Sequence, residues 1–261
     1  MASKNRERQS REVRERLKAY TARQQVHDHA RARRTRDNVI AVLGVTAVVA
    51  LTAATQVFYF SAGPGAPTPE PSASAVVGEN VGVPSADYAE YRTWTGELTL
   101  NDVALGIELD GAAAPQAVSA FLSDVDTGYY VDKTCHRLAT SEGFELLQCG
   151  SIDGLGSSDP DFSYGPIENA PADDFYPAGT IAMARVSGDE YSNGHQFFLV
   201  YGDSTIPSDE VGGYTVLGTI TSGLDDLIDQ ITSAGIDPDL LGTDGTGGPL
   251  VTTTITQITL Q

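Results

Sequence analysis

An uncharged run of 23 residues, 38–60, divides this chain into two parts of opposite charge. A helix of that length spans a hydrocarbon core of about 30 Å. Residues 1–37 hold 12 of the 16 Lys and Arg but only 5 of the 35 acids, so the part after the run is strongly acidic. Because basic flanks stay in the cytoplasm, the pattern predicts a single-pass protein of the cell membrane. In this interpretation the basic tail at 1–37 is expected to be cytoplasmic, 38–60 to be a transmembrane signal anchor, and the remainder to be extracytoplasmic.

A cleaved signal peptide is the alternative interpretation, because the small residues Ser61, Ala62 and Gly63 follow the run. The long leader favours the anchor, as does an apolar run that exceeds the roughly 7 to 15 residues of a signal core. The tail is expected to be solvated, with contact to anionic lipids as a second hypothesis. Residues 61–90 are rich in Ala, Gly, Pro and Ser. Such a composition buries too little surface to fold and predicts a flexible linker.

The remaining residues, 91–261, carry the patterns of a mainly β domain. Alternating apolar residues at 97–111 predict a hairpin, and apolar residues at helical spacing in 112–125, with Pro115 in the first turn, predict a helix. A Gly, Ser, Asp and Pro loop is expected at 151–177. Further apolar or β-branched runs predict additional elements: strands at 180–184, 196–201, 213–220 and 251–260, and a second helix at 222–231.

Four motifs in the domain carry a family resemblance. They are K-T-C-H-R-L at 133–138, L-L-Q-C-G at 146–150, A-G-T-I-A-M-A at 178–184 and N-G-H-Q-F-F-L-V at 193–200. In this order and at these separations they resemble the cyclophilin family of peptidyl-prolyl isomerases, over about 97–261. The resemblance implies a mainly β, cyclophilin-like eight-stranded antiparallel β-barrel capped by two helices, here preceded by the single transmembrane helix.

The resemblance also implies an activity, cis–trans isomerisation of X-Pro bonds, here in exported proteins. Rotation about a peptide bond has a barrier of about 18 to 20 kcal/mol, and lowering it requires neither a cofactor nor a metal. It requires an apolar pocket for the proline ring and a donor aimed at the twisted imide nitrogen. Carried over by motif, the roles fall on eight residues. Arg137 is the catalytic donor, and Gln148 orients either Arg137 or the substrate backbone. The pocket is lined by Phe144, Leu146, Phe198 and Tyr214, and the residue before proline is contacted by Ala184 and Gln196.

The motifs also depart from the family pattern. Glu145 stands where an aromatic residue is usual, with Phe144 able to replace it through a bulge. Arg185 replaces an Asn, Tyr214 replaces a His, and the usual Trp has no counterpart, so cyclosporin binding is expected to be weak. The alternative function is therefore a catalytically weak peptide-binding or scaffold module at the cell envelope, which would be favoured if Glu145 or Arg185 paired with Arg137.

Other features lead to smaller predictions. Cys135 and Cys149 either form a disulfide or pack as small buried side chains. His136 is expected to be a hydrogen-bonded core residue and His195 a tolerated surface residue. The acidic loops at 153–161 and 237–248 are interpreted as solvated turns rather than calcium sites. The expected partners are proline-containing polypeptides, basic segments in particular because the domain is acidic. No nucleic acid is expected, and the domain is expected to be monomeric.

Overall fold

The computed structural model describes residues 78–261. The predicted tail at 1–37, the anchor at 38–60 and the linker part at 61–77 lie outside the described residues. Within 78–261, none of the helices combines the length and the apolar character needed to cross a membrane. The described elements are, in chain order: β1 Thr93–Leu100, β2 Val103–Asp110, α1 Pro115–Asp126, β3 Cys135–Ser141, β4 Phe144–Cys149, β5 Phe175–Tyr176, β6 Thr180–Met183, β7 Phe197–Gly202, β8 Ser204–Thr205, β9 Val216–Ser222, α2 Leu224–Gln230, β10 Ile236–Leu241, β11 Gly247–Pro249 and β12 Ile255–Leu260.

Ten of these strands form one antiparallel sheet, in the order β10-β11-β3-β4-β7-β6-β9-β2-β1-β12. The sheet closes because the start of β12 pairs with the residues just before β3. Cys135 N donates to Thr253 O at 2.9 Å, and Ile255 N donates to Lys133 O at 2.8 Å. Eight strands thus form a barrel, and the β10–β11 hairpin lies outside the ring beside β3. The mainly β fold with two helices agrees with the prediction.

Side chains alternate between the two faces of the barrel strands, as the pleat requires. In β7, Phe197, Leu199 and Tyr201 belong to the interior core, together with the apolar sides of β1, β2 and the helices. Phe198 and Val200 point to the opposite face, where they form a second, smaller apolar cluster with residues of β3, β4 and β6. This outer cluster positions the candidate site.

The two helices contribute their apolar faces to the interior core. Val118 and Phe121 of α1 are buried, as is Leu227 of α2. The first helix has no side-chain cap of its own. Instead, the Glu168 carboxylate accepts hydrogen bonds from Gln116 N at 3.1 Å and Ala117 N at 2.9 Å. A carboxylate at this end satisfies free amides and complements the helix dipole.

The boundary predicted between linker and domain is wrong for residues 78–90. Ser85 caps a 3-10 helix at Ala86–Ala89, and Ala89 is fully buried against α1. Ser119 Oγ of α1 connects this 3-10 helix to α1 by accepting from Ala89 N and donating to Ala86 O. Val81 also pairs with Ser163. These contacts join 78–90 to the folded unit, and the Pro-, Ala-, Ser- and Gly-rich composition typical of a linker is confined mainly to 61–77.

Candidate active site on the outer face of the barrel

The sheet register places four residues of the motifs side by side on the outer face. Arg137 of β3 pairs with Gln148 of β4, Gln148 pairs with Phe198 of β7, and Phe198 pairs with Ala182 of β6. Neighbouring strands lie about 4.8 Å apart, so a cation, an amide and an aromatic ring follow one another across the surface. The β-ladder therefore assembles the site from segments that are distant in sequence.

Arg137 is held by side chains from two elements. Its Nη1 donates to Gln148 Oε1 at 3.3 Å, and its Nε donates to Thr246 Oγ1 at 3.0 Å. Asp244 lies farther away, with Oδ2 at 3.7 Å from Nη2. Hydrogen bonds from Thr246, followed by the charge of Arg137, lower the pKa of Asp244 below its ordinary value. The Arg137 side chain remains 36% exposed, so solvent or a ligand can reach it.

Gln148 continues the polar contacts along the site. Its Nε2 donates to Gln196 Oε1 at 2.9 Å. Gln196 Nε2 then donates to the carbonyl oxygens of Gly156 and Ser157, each at 3.1 Å. Ala184 N donates to Gln196 O at 2.8 Å, which brings those two predicted residues together. Both glutamines are thus oriented by fixed partners.

The apolar part of the site surrounds Phe198. Leu146 is buried beside it, and Phe144 and Tyr214 pack against the same cluster while remaining half-exposed. The rings of Phe198 and Tyr214 meet edge to face, with centroids 5.6 Å apart. Tyr176, which sequence reasoning missed, is fully buried beneath them. Its hydroxyl accepts from Tyr214 N at 2.8 Å and so fixes the outer wall.

Arg185 does not pair with Arg137. Its guanidinium makes a bidentate ion pair with Asp209, both N···O distances being 2.9 Å, and it also donates to the carbonyls of Gly212 and Gly213. It lies under the Tyr214 ring at 5.0 Å from the centroid. These bonds hold the pKa of Asp209 well below its ordinary range. Arg185 is therefore a buried support for the Tyr214 wall.

Glu145 also points away from Arg137. Its carboxylate lies against Gly202, and its backbone N–H donates to Ser204 Oγ at 2.8 Å. The register between β4 and β7 shifts between Glu145 and Leu146. Phe144 faces the cluster, with its ring 5.9 Å from the Arg137 guanidinium carbon. The structure thus has the irregularity that lets Phe144 face the site.

The two cysteines join β3 to β4 next to the site. Cys135 and Cys149 are directly paired in the ladder, and their sulfurs are bonded at 2.01 Å. Both side chains belong to the interior core. Arg137 and Gln148 lie two residues and one residue away from this bond, on the outer face.

Both histidine predictions require correction. His195 is buried rather than on the surface: its ring stacks between Tyr129 and Phe162, with centroids at 3.8 and 3.9 Å, and its Nδ1 lies 2.7 Å from Asp124 Oδ2. Burial raises the pKa of Asp124, and His195 opposes this effect. His136 is half-buried, and its Nδ1 has no hydrogen-bond partner among the described residues. Burial, then the charge of Arg137, lowers its pKa.

A cavity of 140 Å³ opens beside the chain of hydrogen bonds that runs from Arg137 to Gln196. It is lined in part by Gln148, Ala184, Gln196 and Asp159. Pockets for drug-sized ligands are larger, about 300 to 1,000 Å³, so this one has room for a single amino acid side chain.

Within 78–261, no group of three or more His, Cys, Asp or Glu is arranged to hold a metal. The Asp153 carboxylate instead accepts from its own loop at Leu155 and Ser157.

The fixed donor Arg137 beside the aromatic surface around Phe198 suits a protein that binds an extended polypeptide by one of its apolar side-chain rings. Comparison with known proteins identifies the family to which such a protein belongs. Residues 96–260 match the family described as cyclophilin-type peptidyl-prolyl cis-trans isomerase/CLD. The chain belongs to that family.

Individual relatives agree. The chain is 31% identical over 205 residues to "Probable peptidyl-prolyl cis-trans isomerase B" of Mycobacterium tuberculosis, covering 75% of this chain and 62% of the relative. It is 36% identical over 156 residues to the protein of the same name from Mycobacterium leprae, covering 55% and 50%. The chain thus spans about half to two-thirds of the length of these relatives.

Solved structures show the same fold. A cyclophilin-type peptidyl-prolyl cis-trans isomerase of Cryptosporidium parvum superimposes with a TM-score of 0.51 at 22% identity, covering 65% of this chain and 97% of that one. A second structure of that protein, in the presence of the dipeptide Ala-Pro, gives 0.50 at 23%.

Four residues around the site lay outside the sequence prediction: Tyr176, Asp209, Asp244 and Thr246. An aromatic pair at 175–176 inside a polar loop was the available signal for Tyr176. Nothing local indicated the other three, because each acts on a residue at least 24 positions away.

Proposed function

We propose that this protein is a peptidyl-prolyl cis-trans isomerase that acts on X-Pro bonds of exported proteins outside the membrane. The observation that carries the proposal is the placement of Arg137 next to Gln148 and Phe198 on one open face. Family membership supports the same activity.

In this mechanism the proline ring packs on Phe198, between Leu146 and Tyr214, and Arg137 donates to the imide nitrogen. That nitrogen accepts a hydrogen bond only when the bond is twisted and its lone pair is localised. The donor therefore stabilises the transition state more than either ground state, as catalysis requires. An arginine suits this role because it stays charged and presents fixed N–H directions.

The chain's own contacts keep the donor available. Arg185 and Glu145, the two charges that would have favoured a binding module, are engaged at Asp209 and beside Gly202. Two of the five N–H donors of Arg137 are used within 78–261, on Thr246 and Gln148. The others can reach a substrate.

The proposed location rests on the sequence, namely the uncharged run at 38–60 behind a basic tail. Basic segments of client proteins are the preferred substrates in this proposal, because the described domain holds 29 acids and 4 bases and attracts cations at low salt.

The test is isomerisation of an X-Pro peptide by the full-length protein, measured by NMR exchange, with Arg137→Ala as the variant. We expect a clear rate enhancement that falls about a hundredfold in the variant. Arg92→Ala is the matched control, because Arg92 pairs with Glu90 on the surface. A folded wild-type protein that binds the peptide without accelerating exchange would instead establish the peptide-binding module.

A further inference from the structure

Thr246 lies between the proposed catalytic arginine and a carboxylate. Its side chain is buried, with 7% of the residue exposed. The Thr246 hydroxyl oxygen is 3.0 Å from Arg137 Nε and 2.9 Å from Asp244 Oδ2. An arginine can only donate and an ionised carboxylate can only accept. The single hydroxyl proton therefore points to Asp244, and the oxygen accepts from Arg137.

The hairpin that carries Thr246 holds the hydroxyl in this place. Thr246 O accepts from Gly242 N at 2.7 Å, and Thr246 N donates to Asp244 Oδ1 at 3.1 Å. The next residue, Gly247, is the ladder partner of Leu138, directly after Arg137. Gly247 is required there because a Cβ would lie 2.4 Å from Leu240 O. The turn and the ladder thus bring Thr246 to Arg137.

This arrangement separates the charge of Asp244 from the donors of Arg137. Asp244 Oδ2 is 3.7 Å from Nη2, beyond the distance of a hydrogen bond. A direct bidentate ion pair, such as Arg185 makes with Asp209, would occupy the donors that a substrate needs. The intervening hydroxyl fixes the Nε side of the guanidinium, and Gln148 fixes the Nη1 side.

We propose that Thr246, oriented by Asp244, is a positioning residue that sets the plane of the Arg137 guanidinium for catalysis. This inference rests on the proposed isomerase function and deepens it. Neither residue lies in the four sequence motifs, and both belong to the β10–β11 hairpin outside the barrel ring. The hairpin thereby becomes part of the site.

The experiment compares Thr246→Val, which removes the hydroxyl at nearly constant shape, with Thr246→Ser, which keeps it, in the full-length protein. Thr243→Val is the matched control, because Thr243 is an exposed residue of the same turn. Two quantities are measured: kcat and KM for an X-Pro peptide by NMR exchange, and the solvent-exchange rate of the Arg137 Nε–H proton. Thermal unfolding of each variant verifies that it is folded.

We expect Thr246→Val to lower kcat about fivefold, the effect of one hydrogen bond, with KM unchanged and faster Nε–H exchange. Thr246→Ser and Thr243→Val should match the wild type. An unchanged Nε–H exchange rate in Thr246→Val would overturn the positioning contact. Faster exchange with an unchanged kcat would overturn its catalytic role. If the wild type shows no activity, the proposed function fails, and the exchange rates still decide whether Thr246 holds Arg137.

Discussion

Two arginines stand on opposite sides of the same apolar surface, and they are held in different ways. Arg185 is 1% exposed and makes a bidentate ion pair with Asp209. Arg137 is 36% exposed, meets its acid only at 3.7 Å, and is held by two neutral oxygens. The charge of Arg185 is neutralised by Asp209 and stabilises the fold. The charge of Arg137 is oriented by its neighbours but stays accessible to a ligand.

The comparison indicates that residue type alone does not identify the catalytic arginine. Arg137 lies within the motif at 133–138 and Arg185 directly follows the motif at 178–184. Both contact an aromatic ring of the site. What differs is the distance and charge of the partner. The following predictions test whether Arg185 and its partners stabilise the fold, and whether Arg137 and its partners serve the proposed activity.

Arg185→Ala is expected to have the largest effect on stability. It removes the cation that pairs with Asp209, the donor to three backbone carbonyls and the support of Tyr214. Because breaking a buried pair is strongly destabilising, we expect Tm to fall by about 10 °C, with a raised KM for an X-Pro peptide. Calorimetry and peptide titration measure both.

The matched control is Arg92→Ala, which breaks the exposed pair with Glu90 and should shift Tm by about 2 °C or less. Equal shifts for the two variants would show that the Arg185–Asp209 pair stabilises the fold no more than an exposed ion pair does.

Replacing both Cys135 and Cys149 by Ala tests whether the placement of Arg137 depends on the disulfide between β3 and β4. The bond closes a loop with a sequence separation of 14, and its loss should lower the free energy of unfolding by about 2 to 3 kcal/mol. We expect kcat to stay within about twofold, because the ladder still pairs Arg137 with Gln148. Denaturant unfolding with and without a reductant gives the first quantity. A reductant that destabilises the double variant as much as the wild type would refute the assignment.

The smallest effect concerns pH. His136, next to Arg137, has a pKa lowered by burial and by that arginine. Its contribution to stability is full above the unfolded value of 6.5, and is lost as pH falls through the lower folded pKa. We therefore expect Tm to decrease slightly from pH 7 to pH 5, and less so in His136→Gln. Parallel pH profiles for the two proteins would show that His136 does not titrate with folding.

Much of this fold could be predicted from local patterns. The hairpin at 97–111 and the helix around Pro115 are confirmed, because alternation and helical spacing depend on neighbours in sequence. The β10–β11 hairpin was missed, since Pro238, Asp239 and the glycines after Leu241 are typical of turns. These residues become strands through pairing with each other and with β3.

The residues of the site also fall into those that a local pattern indicates and those placed by long-range contacts. The motifs indicated Arg137, Gln148 and Phe198 because each lies in a recognisable segment. Contacts that cross the chain could not be predicted, such as Thr246 with Arg137 at a separation of 109 residues. His195 was predicted to be tolerated at the surface because it stands where the family pattern has a Ser. It is buried because two aromatic rings and Asp124 accommodate it.

The closure of the barrel between β12 and the start of β3 also determines when the domain can fold. During synthesis, β1 emerges from the ribosome about 160 residues before its partner β12. Until then two strand edges remain unpaired, and exposed edges invite pairing with other chains. Such long-range closure is slow compared with local folding. The two edges of the barrel can therefore be joined only after almost the whole domain has been synthesised.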